Sequence, residues 1–445
     1  MRSLLFTIFV LLLLVSCKEH EVSPTKPISP STPVQLPINL SGYTDKTSYY
    51  PGETVELYLS ADNKADNCLI RIYNINHDSV SYFNTAIKPQ PILNNDPWMN
   101  GFGYALTTTF TIPITFQSGV YLIENKFLLI VKSLHRPQIV IVFPLNTENA
   151  YCQSGGKSLY RPVGNKAQII SFLRPIPFPH ENKNLNFLEK GLQFFHSQKD
   201  LNSGYITDID LDDEHALDGA KLLIIPGHSE YWTLRARRNF DRYINKGNNA
   251  LILSGNTMWW QVRYSSDQKQ LICYKDISDP ISDPLQKTIN WVDPSLNYPT
   301  ISSIGADYVH GGHGNIGWGG YKVITPMSPL LSGTGLRQDD ILHIPTIEYD
   351  GIAILGYQNG YPIPDKKDFY KLEVIGFDET NYSGMANVAA FYALQKKINS
   401  GIIVNMGTTD WCSRHGVGGT DKDKVQRITR NAIGLLINSG NVFTK

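Results

Sequence analysis

The chain has 445 residues, long enough for two or three hydrophobic cores, and its 42% apolar and 18% charged residues are those of an ordinary globular protein. Forty basic and forty acidic side chains cancel to a formal net charge of zero with no basic stripe, so nothing argues for a nucleic-acid partner. The 24 tyrosines and 35 glycines suit a loop-rich, partly β protein.

In chain order, "MRSLLFTIFVLLLLVSC" carries one arginine, the apolar run Leu4–Val15 and a small residue before Cys17. Such a run is too short for a mature bilayer span but suits a signal peptide over residues 1–16. "LVSC" is similar to a bacterial lipobox, which would make Cys17 a lipidated first residue and set the protein on the cell envelope. An ordinary signal peptide with an incidental cysteine is the plainer alternative. Residues 17–37, rich in Pro, Ser and Thr, read as a tether with too little to bury.

Residues 38–135 read as β. "YPGETVELYLSA" turns at Pro51-Gly52 and then alternates, with Val55, Leu57 and Leu59 on one face and Glu56 and Tyr58 on the other. Further short strands follow without a helix, which predicts a β-sandwich.

Residues 136–445 change rhythm. "QIVIVFPL", "AKLLIIPG", "NALILSGN" and "SGIIVN" are apolar runs of the kind found in strands covered on both faces. Helical spacing lies between and after them, in "NLNFLEKGLQFFHSQ", "TLRARRNFDRYINKG" and "DKVQRITRNAIGLLINSG". The alternation predicts an α/β domain, a mostly parallel sheet with helices on both faces. The Gly-, Pro- and Asp-rich stretch 261–346 reads as a long loop or small inserted subdomain.

At a strand mouth stands "PGHSEYW" (226–232). Residues two apart point the same way, so His228 and Glu230 converge while Ser229 diverges. A metal ligand with an adjacent proton relay is one reading, and a His–Glu pair that only orders the loop is the other. Asn256 in "LSGN" occupies the matching position on the next strand, where a lone Asn is more often a turn residue or helix cap; Glu348 in "EYDG" adds a carboxylate that by composition alone reads as a surface acid. "GGKSLY" (155–160) lacks the spacing of a phosphate loop, and His310 and His313 in "HGGHGN" are a weak metal signal. The elbow carries no cysteine and no G-x-S-x-G, so covalent catalysis there is disfavoured. Cys68, Cys152, Cys273 and Cys412 are scattered and suggest neither a zinc site nor a disulfide framework.

Six ordered segments, "NTENAYCQSGGKSLY", "GYITDIDL", the long run from "GHSEYW" to "WWQVR", "LLSGTGL", "IEYDG" and "MGTTDW" with "ITRNAIGLL", resemble the large subunit of N,N-dimethylformamidase and its bacterial relatives. The resemblance implies a β-sandwich followed by a glutamine-amidotransferase-like (flavodoxin-like) α/β domain that lacks the usual cysteine. It implies one mononuclear ferric iron held by two tyrosinates and a glutamate: Glu230 and Tyr151 match by motif position, and Tyr121 in "SGVYL" matches the other tyrosine by its place in the last part of the sandwich. His228, Asn256 and Glu348 would handle substrate and protons. Three anionic oxygen donors suit a ferric ion, and open positions would let it activate water for hydrolysis of an amide-type C–N bond. The substrate would be a small molecule or derived from a polymer, and a small partner subunit or a homo-oligomer is compatible with the resemblance. Glu148 and Asn149 depart from the family, which has a tryptophan before "AY". Two rival expectations stand beside this one: a non-catalytic carbohydrate- or peptide-binding lipoprotein, and a carbohydrate-active enzyme using Glu230 and Glu348 as paired carboxylates.

Overall fold

The computed structural model describes residues 39–180, 182–314 and 316–444. The signal peptide, Cys17 and the whole of the tether, residues 17–37, lie outside them. Two antiparallel sheets come first. One holds β1 (Leu40–Thr44), β2 (Thr54–Ala61) and β5 (Thr108–Thr111); the other holds β3 (Ala65–Asn74), β4 (Ser79–Ile87), β6 (Gly119–Ile123) and β7 (Phe127–Val131), in the order β4-β3-β6-β7. Val55, Leu57 and Leu59 of the first meet Ile70, Ile72 and Leu129 of the second, as the alternation requires.

An 11-stranded sheet follows. Its first five strands are β10 (Ser203–Thr207), β8 (Ile139–Phe143), β11 (Leu222–Gly227), β13 (Asn249–Ser254) and β24 (Ile402–Asn405), all mutually parallel. Along them Ile139, Ile141, Leu222, Ile224 and Leu251 face one core, with Leu192 of α3 (Glu189–Ser197) and Val425, Ile428 and Ala432 of α6 (Lys422–Ile437). Val140, Val142, Leu223, Ile225 and Ile252 face the other, with Phe240 and Ile244 of α4 (Leu234–Asn245). Each such Val, Leu, Ile or Phe side chain, fully buried, contributes roughly 1.5–3 kcal/mol. The first core also takes in Ile75, Val120, Leu122 and Ile130 of the sandwich, so the two parts share packing.

The rest of the sheet is antiparallel and only in part expected. β23 (Met385–Gln395), β19 (Glu348–Gly351), β16 (Asp307–His313), β22 (Lys371–Tyr382), β17 (Gly320–Val323) and β18 (Ile341–His343) extend it beyond β24. Stretch 261–346 is therefore loop interrupted by strands, of which β16, β17 and β18 join this sheet. It also contributes β15 (Gln270–Ile272), which joins β12 (Tyr231–Thr233), β14 (Trp260–Tyr264) and β9 (Ile169–Ser171) in a small sheet. A hairpin of β20 (Ile354–Gln358) and β21 (Tyr361–Pro364) and three short helices, α1 (Pro97–Asn100), α2 (Leu145–Tyr151) and α5 (Thr300–Ile304), complete the regular elements. Among the described residues no helix is long and apolar enough to cross a membrane, and the four cysteines are free and buried.

Glycine hid β16 from sequence reading because close packing demands it there. A Cβ on Gly311 would lie 2.2 Å from the carbonyl oxygen of Tyr349 on β19. Gly311→Ala should therefore destabilise the protein by about 1–3 kcal/mol through forced separation of β16 and β19, read as a lowered denaturant midpoint with unchanged m-value.

Candidate functional site

The carboxyl ends of β8, β11 and β13 lie side by side, and each sends one turn to the same spot. After β8 the chain enters α2, whose last residue is Tyr151. After β11, Gly227 turns with φ +76 and delivers His228-Ser229-Glu230. After β13, Asn256 sits in left-handed backbone, φ +50. Glu348 arrives from the antiparallel half, at the start of β19.

The backbone of the elbow is pinned on three sides. Ser229 N–H donates to Ser254 Oγ (3.1 Å), Glu230 N–H donates to Thr147 Oγ1 of α2 (3.0 Å), and Glu230 C=O accepts from Trp260 N–H (2.9 Å). Ser229 turns away, its Oγ accepting from Trp232 Nε1 at 3.0 Å, so no serine nucleophile faces the cluster.

Glu230, 1% exposed, is the hub. Tyr151 Oη donates to its Oε2 at 3.1 Å, and Tyr160 Oη lies 2.6 and 2.8 Å from its two oxygens. The two phenol rings stack, with centroids 4.2 Å apart and planes 12° from parallel. His228 Nε2 stands 3.5 Å from Glu230 Oε2 and 3.3 Å from Glu348 Oε2, yet neither ring nitrogen makes a well-directed hydrogen bond. Asn256 Nδ2 donates to Glu348 Oε2 at 3.0 Å, while Asn256 Oδ1 has no partner. Phe187 meets His228 edge-on.

Lys275 completes the group. Its ammonium lies 3.6 Å from the Tyr160 ring centroid, 4.8 Å from Trp260 and 5.1 Å from Tyr231, presented from left-handed backbone at φ +59. Three of its neighbours are faces of aromatic rings, and Glu230 supplies the nearby negative charge.

Burial raises Glu230, against the pull of His228 and Lys275. Burial and then the Glu230 charge push the phenols of Tyr151 and Tyr160 well up, so both keep their protons and donate them. Burial alone would lower His228, but Glu348 and Glu230 outweigh it and its imidazole is raised. Glu348 is held below the usual carboxylate range because His228 and Asn256 outweigh its burial. Burial drops Lys275 to about 8 and lifts Glu148 on α2 to about 8.

The structure thus brings together Tyr151, His228, Glu230, Asn256 and Glu348 but not Tyr121. Tyr121 lies in the middle of β6, donating from Oη to Gln117 C=O at 2.9 Å and stacking on Phe116. Its neighbours Val120 and Leu122 face the α/β core, so strand alternation turns Tyr121 into the sandwich interior. Tyr160 stands where a second phenol was expected. It lies nine positions after Tyr151, in the "GGKSLY" end of the same family-like segment; the usable signal is a second tyrosine on the same loop. Lys275 gave no signal in its surrounding sequence.

Among the described residues no three His, Cys, Asp or Glu side chains form a metal-binding group. The convergent donors are instead two phenols and one carboxylate, with unpartnered nitrogens on the adjacent imidazole, and that oxygen set fits a hard cation. His310 pairs with Asp307 at 2.7 Å; His313 pairs with Tyr308 at 2.8 Å and stands opposite Glu348 across β16 and β19, where it helps hold that carboxyl down. Clefts of about 550, 460 and 580 Å³ lie elsewhere, and none is lined by Glu230 or its partners.

Fold and site together define a protein with a β-sandwich, a large mixed sheet and an oxygen-rich site, free of an elbow nucleophile, at the ends of the parallel strands. The chain belongs to the family described as N,N-dimethylformamidase beta subunit-like, C-terminal, whose model matches residues 75–419. No curated protein matches the chain. Among solved structures, one from Bacteroides uniformis described as ThuA-like is similar at 14% identity over 60% of this chain and 92% of its own, with a TM-score of 0.33.

The coupled pair His228–Glu348 has a signature in metal-free protein. The raised imidazole stabilises fully below its unfolded value of about 6.5 and loses that contribution as pH rises through its folded value; the lowered carboxyl stabilises above about 4.3 and loses it as pH falls through its folded value. The stability difference between wild type and Glu348→Gln should therefore be largest between about pH 5 and 6.5 and shrink on either side, as read from denaturant midpoints across pH.

Proposed function

We propose that the chain is an iron-dependent hydrolase of amide-type C–N bonds, acting through a water rather than a side-chain nucleophile. Family membership supports a dimethylformamidase-like hydrolase in outline. The observation that carries the finer reading is the convergence of Tyr151 and Tyr160 on the buried carboxylate of Glu230. To hold a ferric ion, both phenols would release the protons they now donate to Glu230, a change that a nearby cation favours. Such an ion would supply Lewis acidity and a bound water of lowered pKa.

The remaining roles belong to the chain. Glu348, kept ionised by His228 and Asn256, takes the proton of the attacking water. His228, which holds its proton to higher pH than usual, hands one to the departing amine nitrogen. Asn256 spends one N–H on Glu348, and its unpartnered Oδ1 suits the N–H of an amide better than an oxyanion. Lys275, seated on the Tyr160 ring, favours the ionised phenol. A chain anchored at Cys17 would do this at the bacterial cell envelope, on a small or polymer-derived substrate, alone, with a partner subunit or as a homo-oligomer.

Paired-carboxylate glycosidase chemistry has less support. Glu230 and Glu348 both lie within 3.5 Å of one imidazole nitrogen, and His228 fills the space a sugar ring would need. Elemental analysis decides the main reading. Purified protein should carry about one iron per chain with a tyrosinate-to-iron visible band. Tyr160→Phe should shift and weaken that band, Tyr121→Phe should leave it unchanged, and Glu230→Ala should abolish iron uptake. A colourless wild type that gains no iron on reconstitution refutes the proposal.

A further inference from the structure

Arg174 is 0% exposed and, among the described residues, has no carboxylate within ion-pairing distance. A buried guanidinium without a counter-ion is unfavourable unless its protons are well satisfied. Here all five are. Nη1–H donates to the carbonyls of Ser154 (2.6 Å) and Lys157 (3.0 Å), and Nη2–H to Asn149 C=O (2.9 Å) and Oδ1 (2.8 Å). Nε–H is shared between Asn149 Oδ1 (3.2 Å) and Ser171 C=O (3.1 Å).

Four of these five acceptors lie between Asn149 and Lys157: two on Asn149, just before Tyr151, and two, on Ser154 and Lys157, in the segment that runs from Tyr151 to Tyr160. The carbonyl of Asn149 also belongs to the last turn of α2, where a cation is favoured by the helix dipole. The segment is closed at its far end by Leu159 N–H donating to Ala150 C=O at 3.0 Å. A lysine offers a point charge without the planar fork, and a neutral side chain leaves inward-facing carbonyls unpaired.

We propose that Arg174 is the positioning residue of the phenol pair: it folds the 149–160 segment so that the two rings stack and their hydroxyls reach Glu230 before any ligand arrives. The inference rests on reading that pair as the donor site. It is tested on the intact protein with Arg174→Lys, Arg174→Ala and, as a control, Arg237→Lys. Arg237 is equally buried and caps the carbonyls of Tyr298 and Pro299, apart from the cluster.

In metal-free protein with labelled tyrosine, the ring-current-shifted Tyr160 resonance, identified by its loss in Tyr160→Phe, should move toward an unstacked position in Arg174→Lys. Iron affinity should fall at least about tenfold. Added guanidinium should restore both properties to Arg174→Ala, which also serves if Arg174→Lys does not fold, and Arg237→Lys should show neither change at a similar loss of thermal midpoint. An unmoved resonance in the Arg174 variants, or equal effects in Arg237→Lys, overturns the proposal. Should the wild type take up no iron, the hydrolase reading falls while the resonance alone still decides the role of Arg174.

Discussion

A carboxylate at 1% exposure keeps its place only if something else answers for its charge, and the candidate site is organised around that requirement. Glu230 receives two phenol hydroxyls, feels the fields of His228 and Lys275, and has its backbone tied to α2 and β14. Each supporter is itself largely withdrawn from water and needs a partner in turn. The stacked tyrosines, the imidazole between two acids and the lysine on its aromatic bed follow from one anion withdrawn from water. A fixed charge pattern of this kind is ordered before a ligand enters, which lowers the cost of binding one.

Much of the scaffold was legible because its residues obey simple periods. Val55, Leu57 and Leu59 alternate, and Val425, Ile428 and Ala432 recur at helical spacing; both sets are buried as their spacing demands. The parallel strands were readable as unbroken apolar runs. The antiparallel extension was not, since β16 spells "DYVHGGH" and its glycines answer to the approach of a neighbouring backbone, information the local text does not hold.

The site was legible where geometry is local and obscure where it is not. His228 and Glu230 converge because they flank one residue at a strand end, and Asn256 follows from the pairing of adjacent strands. Tyr121 was misjudged because sharing a sandwich strand with core residues says nothing about which face a side chain takes; the parity of Val120 and Leu122 decides it. Lys275 was invisible because its position depends on a left-handed backbone inside a Gly- and Asp-rich stretch.

Both stacked phenols ride on one short segment of the α/β part, with the sandwich supplying neither. The polar centre therefore leans on the preceding part through packing, Trp98 against Gly155 and Lys157, and not through a donor side chain. Substitutions on the exposed sheets of the sandwich can accumulate without disturbing the tyrosines, whereas an insertion of even one residue between positions 151 and 160 would put the second ring out of phase with the first. Within this lineage the spacing of those two aromatics should vary far less than the text of the domain that precedes them.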